Sequence, residues 1–530
     1  MPTPTPEVRP NSIAGIYEAA SGDRDVYLTR AREAAKLTIP SLMLPEGSTG
    51  ATDQYQPYQS VGSRGVKNLA AKLLLALFPP NQPFFRMAVD EFVLEDLSKN
   101  DADVKDTILT GLAKMEGTTQ TYIEQEAIRV TLVEAILQLL VAGNVLLYVP
   151  TDGGSRIYPL TQYVVFRSPH GPALRIVIKE VVAKETLTED QLSLLEDSTV
   201  AEEDPAKNHR NTIPLYTNIE RRGEDGSWKV EQEINGKIVP GSTGSYPKDK
   251  CAYIPLRFRK IDGEDYGRGF VEEMIGDLRT LEGLNMAMVE GAAAMSKVLL
   301  LVNPNGLTSK KTISDSDNLS VRDGVAEDVT VLKVDKLSDF RFAFELAKQV
   351  EDRLSFSFLL NSAVRRNGER VTAEEIRFVA GELEDGLGGV YSLLSQEMQI
   401  PLVHRLLHLL TRKKKLPSLP KDSVKPEIVA GLEALGRSHE LNKLDRFLES
   451  IEPEDRRAFL HMDRVYRKRA IAAGIDQDIL KTQDELQAEQ QNAMMSQLAE
   501  KALPNAVTQI GSGMREGYQQ QNAPATPPPA

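Results

Sequence analysis

The sequence predicts an α+β protein that is mainly helical and contains several domains. Its 530 residues exceed the usual length of one domain, and 41% of them are hydrophobic, which is enough for sizeable cores. Long stretches before residue 142 and after residue 270 carry apolar residues at helical spacing, whereas short runs typical of strands occupy 143–260. These observations place a small β subdomain between two mainly helical parts.

The first helical part, residues 12–142, follows a Pro/Thr-rich arm at 1–11 that is expected to be flexible. Helices are predicted at 23–37, 60–77, 101–125 and 126–142. The prolines Pro79 and Pro80 end the second of these helices. The fourth is apolar nearly all round, so it is expected to be buried.

The β subdomain, residues 143–260, opens where Gly143 and Asn144 turn the chain out of the fourth helix. Strands are predicted at 145–149, 158–167, 173–182, 215–221, 228–234 and 253–258, with a helical insert at 188–197. Asp225-Gly226 and Asn235-Gly236 have the composition of tight hairpin turns. The charged run 197–211 is predicted to be an exposed excursion.

Two helices are predicted next, at 271–298 and 337–360, on either side of a polar excursion at 299–336. The first helix has a net charge of −3 and the second a net charge of −1. The acidic candidates for a functional surface are Glu272, Glu273, Asp277, Glu282, Glu290, Glu345, Glu351 and Asp352. For each of them, an ordinary solvated helix face remains the alternative interpretation.

An arginine-rich loop at 361–371 follows, and Asn367-Gly368 supplies the backbone freedom of a tight turn. Its cationic candidates are Arg365, Arg366 and Arg370, which could instead pair with Glu369, Glu374 or Glu375. Thr372 and Glu375 form a capping box that starts a long helix, predicted over 372–423. Three further helices are expected within 424–502, and the Gln/Pro/Ala-rich tail 503–530 is predicted to be disordered.

The remaining composition excludes several classes of protein. A net charge of −13 has the wrong sign for a protein that grips DNA phosphates, so either DNA is not a partner or it must pass without sticking. The single cysteine, Cys251, excludes an intrachain disulfide. No signal peptide is recognisable, and the longest apolar stretch, 136–149, is too short to span a bilayer. No membrane partner is therefore expected.

The sequence contains no recognisable catalytic constellation. The phosphate-binding pattern G-x-x-x-x-G-K-[ST] is missing, and no Gly-x-Ser-x-Gly nucleophile elbow is present. His404 and His408 have the spacing of a zinc-binding helix, but Arg405 stands where the catalytic glutamate would be. We therefore expect no metal, no cofactor and no enzymatic activity.

Five segments occur in a distinctive order along the chain. They are TIPSLMLPEG, YQSVGSRGVKNLAAKLLLALFP, VAGNVLLYVP, YGRGFVEEMIGDLRTLEGLN and NSAVRRNGERVTAEEIRFVAGELEDGLGGVYSLLSQEMQIPLV. Together they resemble the portal, or head-to-tail connector, proteins of short-tailed bacteriophages of the autographivirus type. The resemblance extends from about Asn11 to Gly474 and weakens over the tail.

The resemblance implies the portal fold and a homo-oligomeric ring, expected to be a dodecamer. Its domains would be a wing (12–270), two stem helices (271–298 and 337–360), a clip (299–336), a channel loop (361–371), a helix from wing to crown (372–423) and a helical crown (424–502). The loop residues Arg365, Arg366, Asn367, Gly368 and Arg370 would project toward DNA. The acids of the stem would repel DNA phosphates and keep the duplex mobile.

By the same resemblance, the protein would be a virion component at the portal vertex, assembled in the cytoplasm of the host bacterium. It would act in head assembly, genome packaging, tail attachment and genome ejection. The implied partners are double-stranded DNA, the terminase large subunit, the major capsid protein, a scaffolding protein and a tail adaptor protein. Two alternatives remain open from the residues themselves: a DNA-packaging ATPase or nuclease, and a tail or internal virion protein without a channel.

Overall fold

A computed structural model of the chain describes residues 12–45, 48, 52–80, 83–89, 94, 102–196, 212–222, 225–295, 299–315, 320–332, 337–360, 381, 383, 386, 387, 389–417, 424–428, 447–451, 460, 462, 465, 466 and 469. The chain divides into two compact units, Met1–Arg437 and Ser438–Ala530. In the second unit, residues 447–449 form a helical turn. The predicted arm, the excursion 197–211, the loop 361–371 and the tail 503–530 lie outside the described residues, as do nearly all of the three predicted helices beyond residue 437.

Four long helices and one short strand are found among the described residues up to 142. They are α1 (Ile13–Lys36), α2 (Val61–Leu77), β1 (Phe85–Val89), α3 (Ala102–Gln125) and α4 (Ile128–Ala142). The prediction of four helices is confirmed, although α1 begins well before the predicted residue 23. The sequence pattern did not indicate β1.

The early start of α1 depends on a residue that is distant in sequence. The carboxylate of Glu233, which is only 2% exposed, accepts hydrogen bonds from the backbone nitrogens of Ile13 at 2.7 Å and Ala14 at 3.1 Å. The Ser12 hydroxyl accepts a third from Gly15 N at 3.0 Å. The first turn of a helix has unpaired N–H groups and the positive end of the helix dipole, so a buried carboxylate stabilises it.

Helices α2 and α4 form the centre of the main hydrophobic core. Leu69 and Leu73 of α2 and Leu132 and Leu139 of α4 are fully buried and belong to one cluster. Ten of the 15 residues of α4 are buried, which confirms the prediction that this helix lies mostly inside the protein, although Val130 near its start is exposed. Both helices contact neighbouring elements on several sides, so the elements packed against them are held in fixed positions.

Strands occupy the region between α4 and residue 257. They are β2 (Asn144–Tyr148), β3 (Arg156–Pro159), β4 (Tyr163–Arg167), β5 (Ala173–Ala183), β6 (Thr212–Arg222), β7 (Ser227–Ile234), β8 (Lys237–Ile238), β9 (Gly244–Tyr246) and β10 (Tyr253–Arg257). A helix, α5 (Glu189–Glu196), follows β5, as predicted. The single strand predicted at 158–167 is in fact two, β3 and β4, separated by a turn at Thr161 and Gln162.

These strands form two antiparallel sheets. One has the order β4-β5-β6-β7-β8, with β9 also paired to β7, and the other has the order β10-β2-β3. The β7–β8 turn holds Asn235 at φ +54° and Gly236 at φ +73°, so the predicted Asn-Gly hairpin turn is confirmed. Thr212–Ala183 and Leu215–Ile234 are among the cross-strand pairs that set the register of β6 against its neighbours.

A long helix, α6 (Phe270–Met295), leads away from the sheets. It is followed by β11 (Leu299–Val302), a short helix α7 (Lys310–Ser314) and β12 (Val329–Leu332), and then by a second long helix, α8 (Leu337–Ser357). Both long helices were predicted, and Leu299, directly after the first predicted helix, begins a strand. It lies there because β11 pairs antiparallel with β12, Leu299 opposite Leu332.

The last elements of the first unit are α9 (Gly389–Leu394), a π-helical segment (Ser395–Gln399), α10 (Ile400–Arg412) and β13 (Val424–Ile428). The helix predicted over 372–423 ends at Arg412, and its predicted start at Thr372 lies outside the described residues. Strand β13 pairs antiparallel with β1, Phe85 opposite Ile428. The mixture of helices and antiparallel sheets confirms the α+β class. No helix in the described ranges combines the length and apolar character needed to cross a bilayer.

Candidate functional site

The pair formed by α6 and α8 holds all eight acidic candidates predicted from the sequence, and its two helices run antiparallel. Near one end, Arg353 Nη2 donates to Asp277 Oδ1 at 2.7 Å. Toward the other end, the ring of Phe340 packs closely against Gly291. These two contacts fix which turn of α6 lies beside which turn of α8.

One side of the pair is anchored in the main core. Leu278 and Leu281 of α6 and Val350 and Leu354 of α8 are at most 2% exposed and belong to the main cluster. Just beyond the end of α8, the ring of Phe358 packs against the backbone of α2, where Gly65 leaves room for it. The opposite side of the pair carries exposed side chains, among them Phe342 and Phe356.

Glu282 lies on the anchored side, because it is only 7% exposed. Its carboxylate accepts hydrogen bonds from Tyr55 Oη at 2.5 Å, Tyr58 N at 2.9 Å and Gln59 N at 3.3 Å. The bond to Glu282 raises the pKa of Tyr55 to about 12. Glu282 therefore ties the segment before α2 to α6 and is committed within its own chain.

Replacing Glu282 with glutamine should lower the free energy of unfolding by about 1–2 kcal/mol, because an amide offers one acceptor oxygen where the carboxylate uses two. One backbone N–H, of Tyr58 or Gln59, would be left without its partner. Urea denaturation of the purified full chain measures the difference. As a control, Glu345→Gln changes an exposed carboxylate and should stay within about 0.5 kcal/mol of the wild type. Equal losses in the two variants would contradict the assignment.

Three further acids form ion pairs within the chain. Glu272 accepts from Arg268 at 3.0 Å and lies 3.5 Å from Arg30, Glu273 pairs with Arg259, and Asp277 pairs with Arg353. Arg268 also donates to Glu264 at 2.7 Å, and this hydrogen bond is the main cause of a raised pKa for Arg268. The open cleft of about 520 Å³ beside the first turn of α6 is lined by these paired groups. Their charges are largely neutralised locally.

Four of the acidic candidates have carboxylates that no described cation neutralises. Glu290, Glu345 and Asp352 are exposed, Glu351 is half-buried, and none of them has an ion-pair partner among the described residues. The cationic candidates Arg365, Arg366 and Arg370, with Asn367 and Gly368, lie outside the described residues. The structure thus separates acids that serve the fold from acids available to a partner.

Helix α8 carries three exposed aromatic side chains that were not predicted from the sequence. Phe342 is 70% exposed, Phe344 is 63% exposed and Phe356 is 76% exposed. The sequence could have predicted this exposure, because at helical spacing none of the three phenylalanines falls on the apolar face that contains Val350 and Leu354. Several large apolar side chains exposed on one helix are typical of an interaction surface.

The excursion between α6 and α8 is built around Asp328. Its carboxylate accepts hydrogen bonds from Leu307 N at 2.8 Å and Thr308 N at 3.0 Å, which fixes the turn after β11. Leu307 is 90% exposed and Val321 is 97% exposed. A two-stranded ribbon with exposed apolar tips is a marginal structure on its own and would gain from a covering partner.

The residues considered for catalysis do not form a site. Burial lowers the pKa of His404 and of His408, and the described residues contain no group of three side chains suited to a metal ion. Arg405, between the two histidines, is buried and donates to the carbonyls of Val149 and Lys250. Burial also raises the pKa of the Cys251 thiol to about 12, which makes it a poor nucleophile.

The sequence matches the family model of the bacteriophage head to tail connecting protein over residues 11–480. It is 41% identical over 508 residues to the portal protein of Escherichia phage T7, covering 94% of this chain and 93% of the relative. The portal protein of Enterobacteria phage SP6 is 33% identical over 526 residues, covering 96% of this chain and 98% of the relative. A chain from the neck of an empty gene transfer agent particle is 11% identical and covers 79% of this chain and 90% of its own length, with a TM-score of 0.35.

Proposed function

The chain belongs to the family of bacteriophage head to tail connecting proteins, and its relatives are portal proteins; from this premise we propose that it assembles into a ring that forms a channel for double-stranded DNA at one vertex of the capsid. The α6–α8 pair is the observation that carries this proposal. Its exposed phenylalanines would be buried by contact with another protein surface. Its unpaired acids would repel the phosphates of DNA that moves along a channel wall.

In the proposed ring, α6 and α8 are the stem and the β11–β12 excursion is the clip. The elements from α1 to β10 form the wing, and residues 424–502 form the crown. Support for the stem comes from the way the α6–α8 pair is anchored on one side only, through Leu278, Leu281, Val350 and Leu354. Support for the clip comes from the exposed apolar residues Leu307 and Val321 at its turns.

The occupant of the exposed α8 face is a second copy of this chain. Phe342, Phe344 and Phe356 lie on more than one side of the helix, so a flat contact with one small partner would not cover them all. A closed ring places each copy between two others and can cover several sides of one helix. Burying such side chains contributes roughly 1.5–3 kcal/mol each.

The channel wall is proposed to act through charge rather than through chemistry. Glu345 and Glu351 repel phosphates, while Arg365, Arg366 and Arg370 supply contacts that are independent of DNA sequence. Acids that repel DNA along the wall and arginines that attract it at one level would combine low friction with weak retention. Family membership makes the chain a structural connecting protein rather than an enzyme.

The other partners follow from this role. ATP hydrolysis would be supplied by a terminase large subunit that docks on the clip during packaging, and a tail adaptor would replace it afterwards. The wing and crown would contact the major capsid protein and the scaffolding protein in the virion vertex. Assembly would take place in the cytoplasm of the host bacterium.

Electron microscopy of the purified full chain tests the architecture. We expect class averages of rings with a central hole wide enough for a DNA duplex, and counting the subunits tests the expected dodecamer. A compact oligomer without a hole would refute the channel and favour a tail or internal virion protein. ATP hydrolysis or DNA cleavage by the purified chain would favour the packaging-enzyme alternative.

Neutralising two loop arginines, Arg365→Gln with Arg366→Gln, should leave ring assembly unchanged but lower the fraction of heads that retain packaged DNA. The reason is that each lost guanidinium removes one phosphate contact from every subunit. The measurement is nuclease-protected DNA per assembled head, followed over time and at two salt concentrations. The matched control removes two exposed cations from the β subdomain, Lys248→Gln with Lys250→Gln. Retention equal to that of the control would show that these arginines do not act as a valve.

A further inference from the structure

Charged residues of opposite sign recur at the same spacing on the outer faces of α6 and α8. Arg279 and Glu290 are eleven residues apart on α6, and Arg341 and Asp352 are eleven residues apart on α8. Eleven residues make almost three whole turns, so each pair lies on one face of its helix. Along the chain the order is cation then anion on both helices, and antiparallel helices therefore present complementary patterns.

Two contacts between α6 and α8 within one chain show which residues lie at the same position along the two helices. Asp277 is level with Arg353, and Gly291 is level with Phe340. Counting twelve residues back along α6 from Gly291 and twelve residues forward along α8 from Phe340 places Arg279 level with Asp352. Counting one residue in the same directions places Glu290 level with Arg341.

These charges do not satisfy one another within the chain. Glu290, Arg341 and Asp352 are exposed, and none has an ion-pair partner among the described residues. Arg279 uses Nε and Nη2 to bind Glu33, which leaves its Nη1 donors for another acceptor. These four charged residues are therefore available to α6 and α8 of a neighbouring copy.

We propose that, in the ring, α6 of one copy packs beside α8 of the next, with Glu290 pairing with Arg341 and Arg279 pairing with Asp352 across the boundary. This inference rests on the ring proposed above. Rotation about a ring axis moves a copy around but not along the axis, so neighbouring copies lie at the same height. In a ring whose α6 and α8 run along the axis, the register between copies then matches the register within one copy.

Neighbouring charges disfavour the other registers. A shift of one helical turn in one direction would place Arg279 against Lys348, and a shift in the other direction would place Glu290 against Glu345. Both shifts replace an attraction with a repulsion between like charges. The charge pattern thus selects one alignment of the two helices.

The same face of α6 allows a close approach. Gly276 and Gly283 are seven residues apart, which is nearly two turns, and a Cβ added to either would meet no atom within 4 Å. Lys348 lies level with Gly283, and Phe356 lies one to two residues from the level of Gly276. A neighbouring α8 could therefore set the Phe356 ring and the Lys348 methylenes against bare backbone.

Two charge reversals in the full chain test the pairing. Glu290→Arg alone and Arg341→Glu alone each place like charges at every boundary, so each should raise the protein concentration needed for half-maximal ring formation by about tenfold or more. The variant carrying both changes restores opposite charges and should recover rings. Light scattering and electron microscopy report ring formation, and circular dichroism confirms that each variant is folded.

Mixing the two single variants distinguishes pairing between copies from pairing within one copy. In an alternating ring, every boundary between the two variants again has opposite charges, so the mixture should form rings that neither variant forms alone. High salt should reduce the differences. If both single variants assemble like the wild type, or if neither the double variant nor the mixture recovers rings, the pairing is wrong while the ring itself stands. If the wild type forms no ring, it is the proposed function that fails.

Discussion

Gly143→Ala should abolish the folded state at physiological temperature or lower the free energy of unfolding by at least about 4 kcal/mol. Gly143 ends α4 with φ +74°, a conformation in which a Cβ is strained. An added Cβ would also lie 2.5 Å from Arg268 C and 2.5 Å from Gly269 N. These are backbone atoms, so no change of rotamer can relieve the overlap.

A matched glycine separates the two contributions. Gly241 has φ +73°, almost the same as Gly143, but a Cβ added there would meet no atom within 4 Å. Gly241→Ala therefore measures backbone strain alone and should cost about 1 kcal/mol. Chemical denaturation of both variants gives the comparison. If Gly143→Ala loses no more stability than Gly241→Ala, the backbone around it yields easily and the close approach is not a constraint.

This junction matters because it determines where α6 begins. Asn144 Nδ2 donates to Gly267 O at 2.8 Å, and Asn144 Oδ1 accepts from Gly267 N at 2.7 Å. Gly269 lies so close to α4 that a Cβ added to it would be 2.8 Å from Val141 O. The end of α4, the start of β2 and the start of α6 are therefore one rigid joint. In the proposed ring, this joint transmits the position of the wing to the stem.

Local sequence patterns predicted the elements whose cause is local. The apolar face of α2 and its end before Pro79, the Asn235-Gly236 hairpin and the two long helices α6 and α8 all followed from spacing and turn chemistry. The predicted turn at Gly143 and Asn144 was also confirmed. In each case, neighbouring residues carry most of the information.

The features that the sequence did not reveal depend on contacts between distant segments. The start of α1 depends on Glu233, and the pairing of β1 with β13 joins opposite ends of the first unit. The same reason explains why eight acids looked equivalent in sequence. Periodicity could place Glu282 and Glu290 on α6, but only the position of Tyr55 and Gln59 shows that Glu282 is committed to the fold.

Arg405→Met should lower the free energy of unfolding by about 3 kcal/mol or more, which is a large part of the stability of an ordinary domain. Arg405 lies on α10 and is only 1% exposed. Its Nε donates to Val149 O at 3.0 Å and its Nη1 to Lys250 O at 3.3 Å. Methionine fills a similar volume but donates nothing, so both carbonyls would lose a charged donor.

The balance of two effects makes this substitution informative. Removing a buried guanidinium recovers its desolvation cost, and burial does lower the pKa of Arg405. Against that gain, the carbonyl of the buried Val149 left without this donor costs about 1–3 kcal/mol, and the bond to Lys250 O and the contact with the ring of Tyr246 are lost as well. We expect the losses to prevail because Arg405 binds α10 to two segments at once, at Val149 and at Lys250. Arg412→Met, on the exposed end of the same helix, should change stability by less than about 0.5 kcal/mol in the same denaturation experiment. A stable Arg405→Met variant would mean that desolvation outweighs the hydrogen bonds, and that packing alone holds α10 against the β subdomain.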